Sequence, residues 1–516
     1  MLRRGYQEVI RWASRTIAPP GNVRALREAM ATRPGGILLE SVAAHAKWGR
    51  HTIFATDPIR VLSIASDGAV DPLAMLTREC RPWAALEPAP NLPFVGGWVG
   101  YLAYEAGRFI EPSGWLTRSD DASSCRDGGF SRLPISRWAL FDTVVIHDEL
   151  EGSWTVAGVE LPSRLARCER PSLSDRLTML ERFVGKAGSE AASGEQRSGG
   201  QGRPAAGTWN FSREEYLRKV VRALEYIRAG DIFQVNLARR CRVPVASHAF
   251  GIYESLREMN PSTHAVYLPV SQGPEDAPWA AIVSSSPEVF LYVQGGAVTT
   301  RPIKGTRPRG ATPAEDQAAG RELAESPKDR AELNMIIDLE RNDLGRVCEF
   351  GTVRVVSDGE IETLPTVFHR TATVVGRLRP EADAMDLLRA TFPGGSITGA
   401  PKVRAMQIIN ELEPTPRGPY CGAIGWVGVD GDMMLNLAIR TMVVGEGHAD
   451  VMVGSGIVAD SDPEAEYEEL GAKAAGMLAA LGVPKEEPPV LHEGRRRRAM
   501  AIGAARGHRV RLGRNQ

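Results

Sequence analysis

The chain has 516 residues, 43% of them hydrophobic and 24% charged, with a formal net charge of -1. That length supports a large core and more than one structural unit, while the balanced charge gives no overall field favouring nucleic acid or an acidic membrane surface. Six cysteines (Cys80, Cys125, Cys168, Cys241, Cys348, Cys421) are scattered without a C-x-x-C pair, which argues against a disulfide framework or structural zinc and fits a reducing cytoplasm.

The opening MLRRGYQEVIRWASRTIAPPG lacks the apolar run of a signal peptide, and nowhere do about eighteen apolar residues follow one another, so a soluble cytoplasmic protein is expected. GGILLESVAA (35–44), FVGGWVGYLAYEAG (94–107) and RWALFDTVVIHDEL (137–150) predict strands and turns from their β-branched and aromatic residues. GKAGSEAASGEQRSGGQGRPAAG is poor in large apolar residues and reads as a flexible linker. The expected division is 1–184, a linker over 185–208, a second region over 209–482 and a basic tail over 483–516. A solvated tail is favoured there over a nucleic-acid arm.

SREEYLRKVVRALEYIRAG (212–230) predicts a long helix, and PEVFLYVQGGAVTTRPI (287–303) a strand pair. Helices and strands mix without regular βαβ alternation, which predicts an α+β fold. Gly295-Gly296 is a two-residue hairpin signal, because both central positions of a type I′ turn need positive φ. A turn centred there sets Glu288 opposite Ile303, one register step from Lys304, so a carboxyl group and an amine reach the same end of one hairpin. On spacing alone, exposed salt-bridge partners are the preferred reading. The chemical alternative is Lys304 as nucleophile and Glu288 as proton donor or acceptor. Such a lysine must be neutral, through burial or through neighbouring cations such as Arg301, Arg307 and Arg309, although alternation puts Arg301 on the other face. Glu288 would need the opposite shift, upward, from a poorly solvated pocket.

SPKDRAELNMIIDLERNDLG (326–345) opens with an N-cap and a proline and carries Asp329 and Glu332 on one helix face. DSDPEAEYEELGAKAAGMLAAL (460–481) repeats the plan with Glu466 and Glu469, and with Lys473 one turn further. Two helices each presenting a carboxylate pair can hold Mg²⁺, which prefers oxygen ligands and completes its shell with water and anionic substrate groups. For Asp329, capping and metal binding stand level. FPGGSITGAPKVRAMQIINELE (392–413) is a Gly-rich turn leading into an amphipathic helix and suits an anion, but it is not a P-loop. Arg440, Lys473 and the close backbone of GSGI (454–457) could clamp carboxylates, or the two cations are routine surface charges. His369 is by itself an ordinary strand histidine.

Together GDIFQVNLARR, SSSPEVF, RPIKGTRPRG, AELNMIIDLERNDLGRVC, FPGGSITGAPKVRAMQIINELEP, YCGAIGW, NLAIRT and GSGIVADSDPEAEYEELGAKA resemble the chorismate-utilising enzyme family, in order, over nearly all of 209–481. GGILLES and FVGGWVGYLAYE resemble its N-terminal region more loosely. The resemblance implies two packed, orthogonal β-sheets flanked by helices, with strands from both halves in them. Within the family it points to the branch that exchanges the 4-hydroxyl of chorismate for an amino group. Anthranilate-forming siblings typically carry Ala at the position of Lys304 and a Gly-rich loop different from G-S-I-T-G-A-P-K.

By the same resemblance, Lys304 attacks C2 of the ring and Glu288 assists departure of the hydroxyl. Glu332 and Glu469 match Mg²⁺ ligands, with Asp329 and Glu466 in supporting positions. Ser396, Arg440, Gly456 and Lys473 fall where relatives hold the substrate's carboxylates. Gln234 stands where isochorismate-forming siblings have a water-activating lysine, and His369 where anthranilate synthases have a histidine tied to pyruvate elimination. Ammonia is expected from a separate glutamine amidotransferase subunit, since no cysteine sits in a G-x-C-x-G setting. Leu39, Glu40 and Ser41 match a segment that lines a tryptophan pocket in relatives or forms a plain strand end; feedback by tryptophan is not expected. The rivals are an anthranilate-forming enzyme and a non-catalytic subunit that binds an aromatic ligand.

Overall fold

The computed structural model describes residues 11–43, 45, 48–66, 69–80, 92–115, 133–161, 170–189, 207–271 and 276–483. Most of the expected linker and nearly all of the expected basic tail lie outside the described residues.

The described strands form two antiparallel sheets, one of twelve strands and one of ten. In the larger, five strands from before residue 161 lie side by side, and the last of them, Ile37–Glu40, pairs with His264–Val270. From there the order runs through Ala280–Ser286, Thr441–Gly445 and His448–Ile457 to Gln234–Pro244. In the smaller sheet the seam is Gly97–Leu102 against Ala423–Gly428. Both sheets therefore contain strands from both halves, as an α+β fold of this kind requires. The core is continuous across them, with Phe54, Tyr101, Trp138, Tyr253, Phe290 and Phe392 among its most enclosed side chains.

Capping fixes the starts of the helices that matter most here. Ser212 and Glu215 form a reciprocal capping box at Arg213–Arg228. Ser326 accepts from the Asp329 N–H at the start of Pro327–Gly345, and Asp462 from the Glu464 and Ala465 N–H groups at the start of Pro463–Ala480. Proline follows the cap residue in both of the latter, where its missing N–H costs nothing.

The hairpin turns where the sequence predicts: Gly295 and Gly296 have φ of 54° and 78°, and Gln294 pairs with Ala297. The register towards its open end differs from the expectation. A bulge between Val289 and Tyr292 brings Val289 opposite Arg301, so Glu288 does not face Ile303 in this ladder. After Arg301 the chain leaves its hairpin partner and keeps the one on its other side: Ala297–Arg301 and then Ile303–Pro308 pair with Val367–Arg377. That pairing slips between Ile303 and Thr306, so Lys304 sits in an irregularity that re-aims its side chain. Gly305 beside it has φ of 88°, and a Cβ there would lie 2.8 Å from Leu323 Cδ1 and 2.9 Å from Asp329 Cγ. Only glycine meets both demands.

Candidate active site

The two sides of one hairpin meet a loop that lies 92 residues beyond Lys304, at Ser396. Its hydroxyl donates to Glu288 Oε1 at 2.8 Å, and its carbonyl accepts from Lys304 Nζ at 3.2 Å. One loop residue thus replaces the hairpin register as the link between the expected nucleophile and the expected acid. Glu288 is 4% exposed. Burial pushes its carboxyl upward against the Ser396 hydrogen bond and the pull of Lys304. Lys304 moves the other way: burial lowers its pKa first and Lys473 adds to this, while Glu332, Glu288 and Glu469 oppose it.

The sequence places the cationic help in the wrong residues. Arg301 is bound to Glu362 at 3.0 Å and Thr371 at 3.1 Å. Arg307 holds Glu322 at 3.0 Å and Asp329 at 3.1 Å, and Arg309 grips Asp316 through two contacts of 2.7 and 2.6 Å. Each is paired with its own acid; the cation that lowers the Lys304 pKa is Lys473, itself paired with Glu469.

Gly456 lies against the same amine. A Cβ at this position would stand 3.7 Å from Lys304 Nζ and 3.0 Å from Gln234 Nε2. Gln234 is fully buried, and neither its Oε1 nor its Nε2 has a hydrogen-bond partner among the described residues. A buried amide left open on both atoms is costly unless something else binds there. His369, 1% exposed, shares its Nδ1 with the Thr306 hydroxyl at 2.8 Å, and its Nε2 is likewise open. Burial, with Arg440 and Arg301 nearby, holds its pKa well below the ordinary range, so it is a neutral imidazole. Arg440 has φ of 49°, a left-handed conformation uncommon for arginine. Burial pulls its pKa down while Glu288 raises it. Gly456 and Gln234 thus lie beside the Lys304 amine, and Arg440 interacts electrostatically with both Glu288 and His369.

The four carboxylates collect on the neighbouring side. Glu466, 2% exposed, accepts from the Ser455 hydroxyl and from Ser461 Oγ at 2.6 Å. Lys328 Nζ lies 3.7 Å from Glu466 Oε1 and 3.9 Å from Glu332 Oε1, and so bridges the two helices. Lys473 Nζ binds Glu469 Oε1 at 2.7 Å and the Gly454 carbonyl at 3.1 Å. Burial raises the Glu332 pKa; at Glu469 the same tendency is outweighed by Lys473, Lys328 and Lys304, and its pKa falls. Asp329 turns its carboxylate to Arg307 while its N–H meets the Ser326 cap, so the acid itself does not cap the helix.

Among the described residues no three His, Cys, Asp or Glu side chains are grouped tightly enough to hold a metal ion unaided. The donor set nevertheless fits Mg²⁺. It is all carboxylate oxygen, and Lys328 already places a cation between Glu332 and Glu466, while Mg²⁺ keeps waters and substrate oxygens in its shell. Lys328 is absent from the sequence-level site, although its i, i+4 spacing to Glu332 was a readable signal.

The LLES segment is a buried strand end: Leu39 and Glu40 close the strand Ile37–Glu40, and Ser41 follows it. Glu40 is 5% exposed on a central strand, receives the Tyr253 hydroxyl at 2.5 Å and lies 3.6 Å from Arg257. Ser41 donates to the Gly49 carbonyl, and Leu39 pairs with Val266 and Ile53.

A family model described as chorismate binding enzyme matches residues 40–479. The chain is 42% identical to anthranilate synthase component 1 of Thermus thermophilus, over 80% of this chain and 82% of that protein. It is 37% identical to aminodeoxychorismate synthase component 1 of Bacillus subtilis, over 89% and 94%. Among solved structures, anthranilate synthase component I from Streptococcus pneumoniae superposes with a TM-score of 0.68 at 30% identity, covering 84% of this chain and 93% of that one.

Proposed function

Because this chain belongs to the chorismate binding enzyme family and is therefore an enzyme acting on chorismate, we propose that it makes 4-amino-4-deoxychorismate, the reaction of aminodeoxychorismate synthase component I. The observation that carries this reading is the meeting of Lys304 and Glu288 on Ser396, an amine with a lowered pKa beside a carboxyl with a raised one. A neutral amine can form a bond to C2 of the ring. As that bond forms, both conjugated ring double bonds shift and the C4–O bond breaks, and Glu288 gives its proton to the departing hydroxyl, which leaves as water. Ammonia then bonds to C4, the two double bonds shift back, the C2–N bond to Lys304 breaks to restore the lysine, and a proton from the new C4 ammonium returns to Glu288.

Glu332 and Glu469 would hold Mg²⁺, with Glu466 and Asp329 supporting them, and the metal when bound would supply charge for gripping the ring carboxylate. Arg440 and Lys473 offer cations for the carboxylates, and the open atoms of Gln234 and His369 offer polar partners for the remaining oxygens. Gln234 is an amide and cannot serve as a general base, which favours ammonia over activated water as the incoming nucleophile. We propose that a glutamine amidotransferase subunit supplies that ammonia, and that the protein works in the cytoplasm. Among the described residues no helix is long and apolar enough to cross a membrane.

A second reading, anthranilate formation, is favoured by the name of the Thermus thermophilus relative and by the buried, neutral His369 with its open Nε2. Incubation with chorismate, Mg²⁺ and ammonium separates the two by product. Aminodeoxychorismate supports the proposal, and direct appearance of anthranilate rejects it.

A further inference from the structure

Arg417 is 1% exposed and touches none of the groups assigned to the site. Its Nε and Nη2 donate to the two oxygens of Glu413 at 2.8 and 2.6 Å. Nη2 also reaches the Asn236 carbonyl at 2.7 Å, and Nη1 the Ile397 carbonyl at 3.0 Å. The ring of Tyr104 lies 4.6 Å from the guanidinium carbon. Glu413 Oε1 in turn accepts from the Ala238 N–H at 2.8 Å, and the Asn236 N–H donates to the Thr398 carbonyl at 2.8 Å. The result is a buried tie between the strand Gln234–Pro244 and the loop that carries Ser396. One end of the tie is the residue next to Ser396, and the other is two residues from Gln234.

We propose that Arg417 is a positioning residue for Lys304 and Glu288: by fixing the Ile397 carbonyl it orients the adjoining peptide, whose Ser396 carbonyl and hydroxyl hold both groups. The inference rests on the reading of Lys304 and Glu288 as the reacting pair. Backbone also joins this loop to the same strand, through the Asn236 N–H to Thr398 and the pairing of Gly399–Ala400 with Gln234–Val235, and Arg417 adds the side-chain tie to the Ile397 carbonyl. Gly395–Ile397 is a single 3₁₀ turn, and Gly394 and Gly395 lack side chains with which to pack. Only a planar fork can meet a carboxylate side-on and still reach two carbonyls on different segments; an ammonium on a flexible stem cannot span them.

Removing one member of a buried ion pair strands the other, so two variants are needed. Arg417→Lys keeps the charge and loses the fork, whereas the paired change Arg417→Met with Glu413→Gln removes both charges at similar volume. With chorismate consumption as the assay, kcat is expected to fall roughly 10- to 100-fold in both, as for a displacement of about 1 Å at the reacting groups. KM for chorismate should change less than kcat, since Arg440, Gly456 and Lys473 are untouched. Cooperative unfolding and a native near-UV spectrum establish that each variant folds. Wild-type kcat in either folded variant overturns the proposal, as does a raised KM with kcat unchanged. Failure of both variants to fold overturns it too, because the tie would then be a folding determinant. Lys304→Ala in the same assay tests the underlying reading separately: full turnover there rejects the role of Lys304, whatever Arg417 does.

Discussion

Lys304 Nζ lies 3.2 Å from the carbonyl oxygen of Ser396, a residue 92 positions further along the chain. The same residue donates its hydroxyl to Glu288 at 2.8 Å. On the proposed reading the amine reacts neutral and the acid protonated, and one loop holds both in a setting whose burial favours the uncharged form of each.

Such a setting disfavours the folded state, and removing the lysine should relieve it. The folded pKa of Lys304 is below its unfolded value, so as pH falls from the ordinary lysine range the unfolded chain gains a proton that the folded chain does not. Stability from this group is therefore lost as pH falls. Lys304→Met is expected to raise stability at pH 7 by about 0.5–2 kcal/mol in denaturant melts while abolishing amination. An unchanged or lowered stability would mean that the amine is well solvated.

Glu288 has the reverse sign. Its folded pKa is raised, so the unfolded chain loses its proton first and stability declines as pH climbs from the ordinary carboxylate range to the folded value. Turnover should rise as Lys304 becomes neutral and fall as Glu288 ionises. Glu288→Gln is expected to lower kcat roughly 10²- to 10⁴-fold and to flatten the falling limb of the pH–rate profile. Retention of that limb in the variant would assign it to another group.

On the proposed reading, metal affinity should depend on Glu466 and on Lys328. Glu466 is fixed by Ser455 and Ser461, and Glu466→Gln should weaken Mg²⁺ binding roughly 10- to 100-fold by calorimetry. Lys328→Gln should tighten it, because the ammonium between Glu332 and Glu466 repels a divalent cation. Equal affinity in wild type and both variants would place the metal elsewhere.

Gly456 is open to a steric test. An alanine methyl at that position would press to 3.0 Å on the end of the Gln234 side chain and stand 3.7 Å from Lys304 Nζ. Gly456→Ala should fold normally, since the crowded neighbour is a side-chain terminus, but should lower kcat/KM at least several-fold. Full activity would show that the Gln234 amide can move aside without cost to the reaction.

Much of this site was legible because its residues lie in elements with strong local signals. Gly295-Gly296 fixed the hairpin turn, and Ser-Pro and Asp-Pro starts fixed the two acidic helices, so the sides of the site could be placed from short-range chemistry. The meeting of Lys304 with Glu288 was expected for a partly mistaken reason. The bulge after Val289 slides the ladder by one position, and the pair is joined by Ser396 instead. Nothing local encodes which loop will cover a strand end. The charges near Lys304 were misread for a related reason: Arg301, Arg307 and Arg309 are close in sequence, but each finds its own carboxylate, and Lys473 arrives from a helix more than a hundred residues away. Arg417 was visible only as one i, i+4 partner of Glu413, and its burial depends on the packing of Tyr104 from the other half of the chain.

The most direct measurement of the central claim is the product formed from chorismate, Mg²⁺ and ammonium by the purified chain, set beside Lys304→Ala under the same conditions. The account predicts 4-amino-4-deoxychorismate from the wild type, with a transient Lys304 adduct detectable by mass spectrometry, and neither from the variant. Anthranilate from the wild type, or undiminished amination by Lys304→Ala, would contradict it.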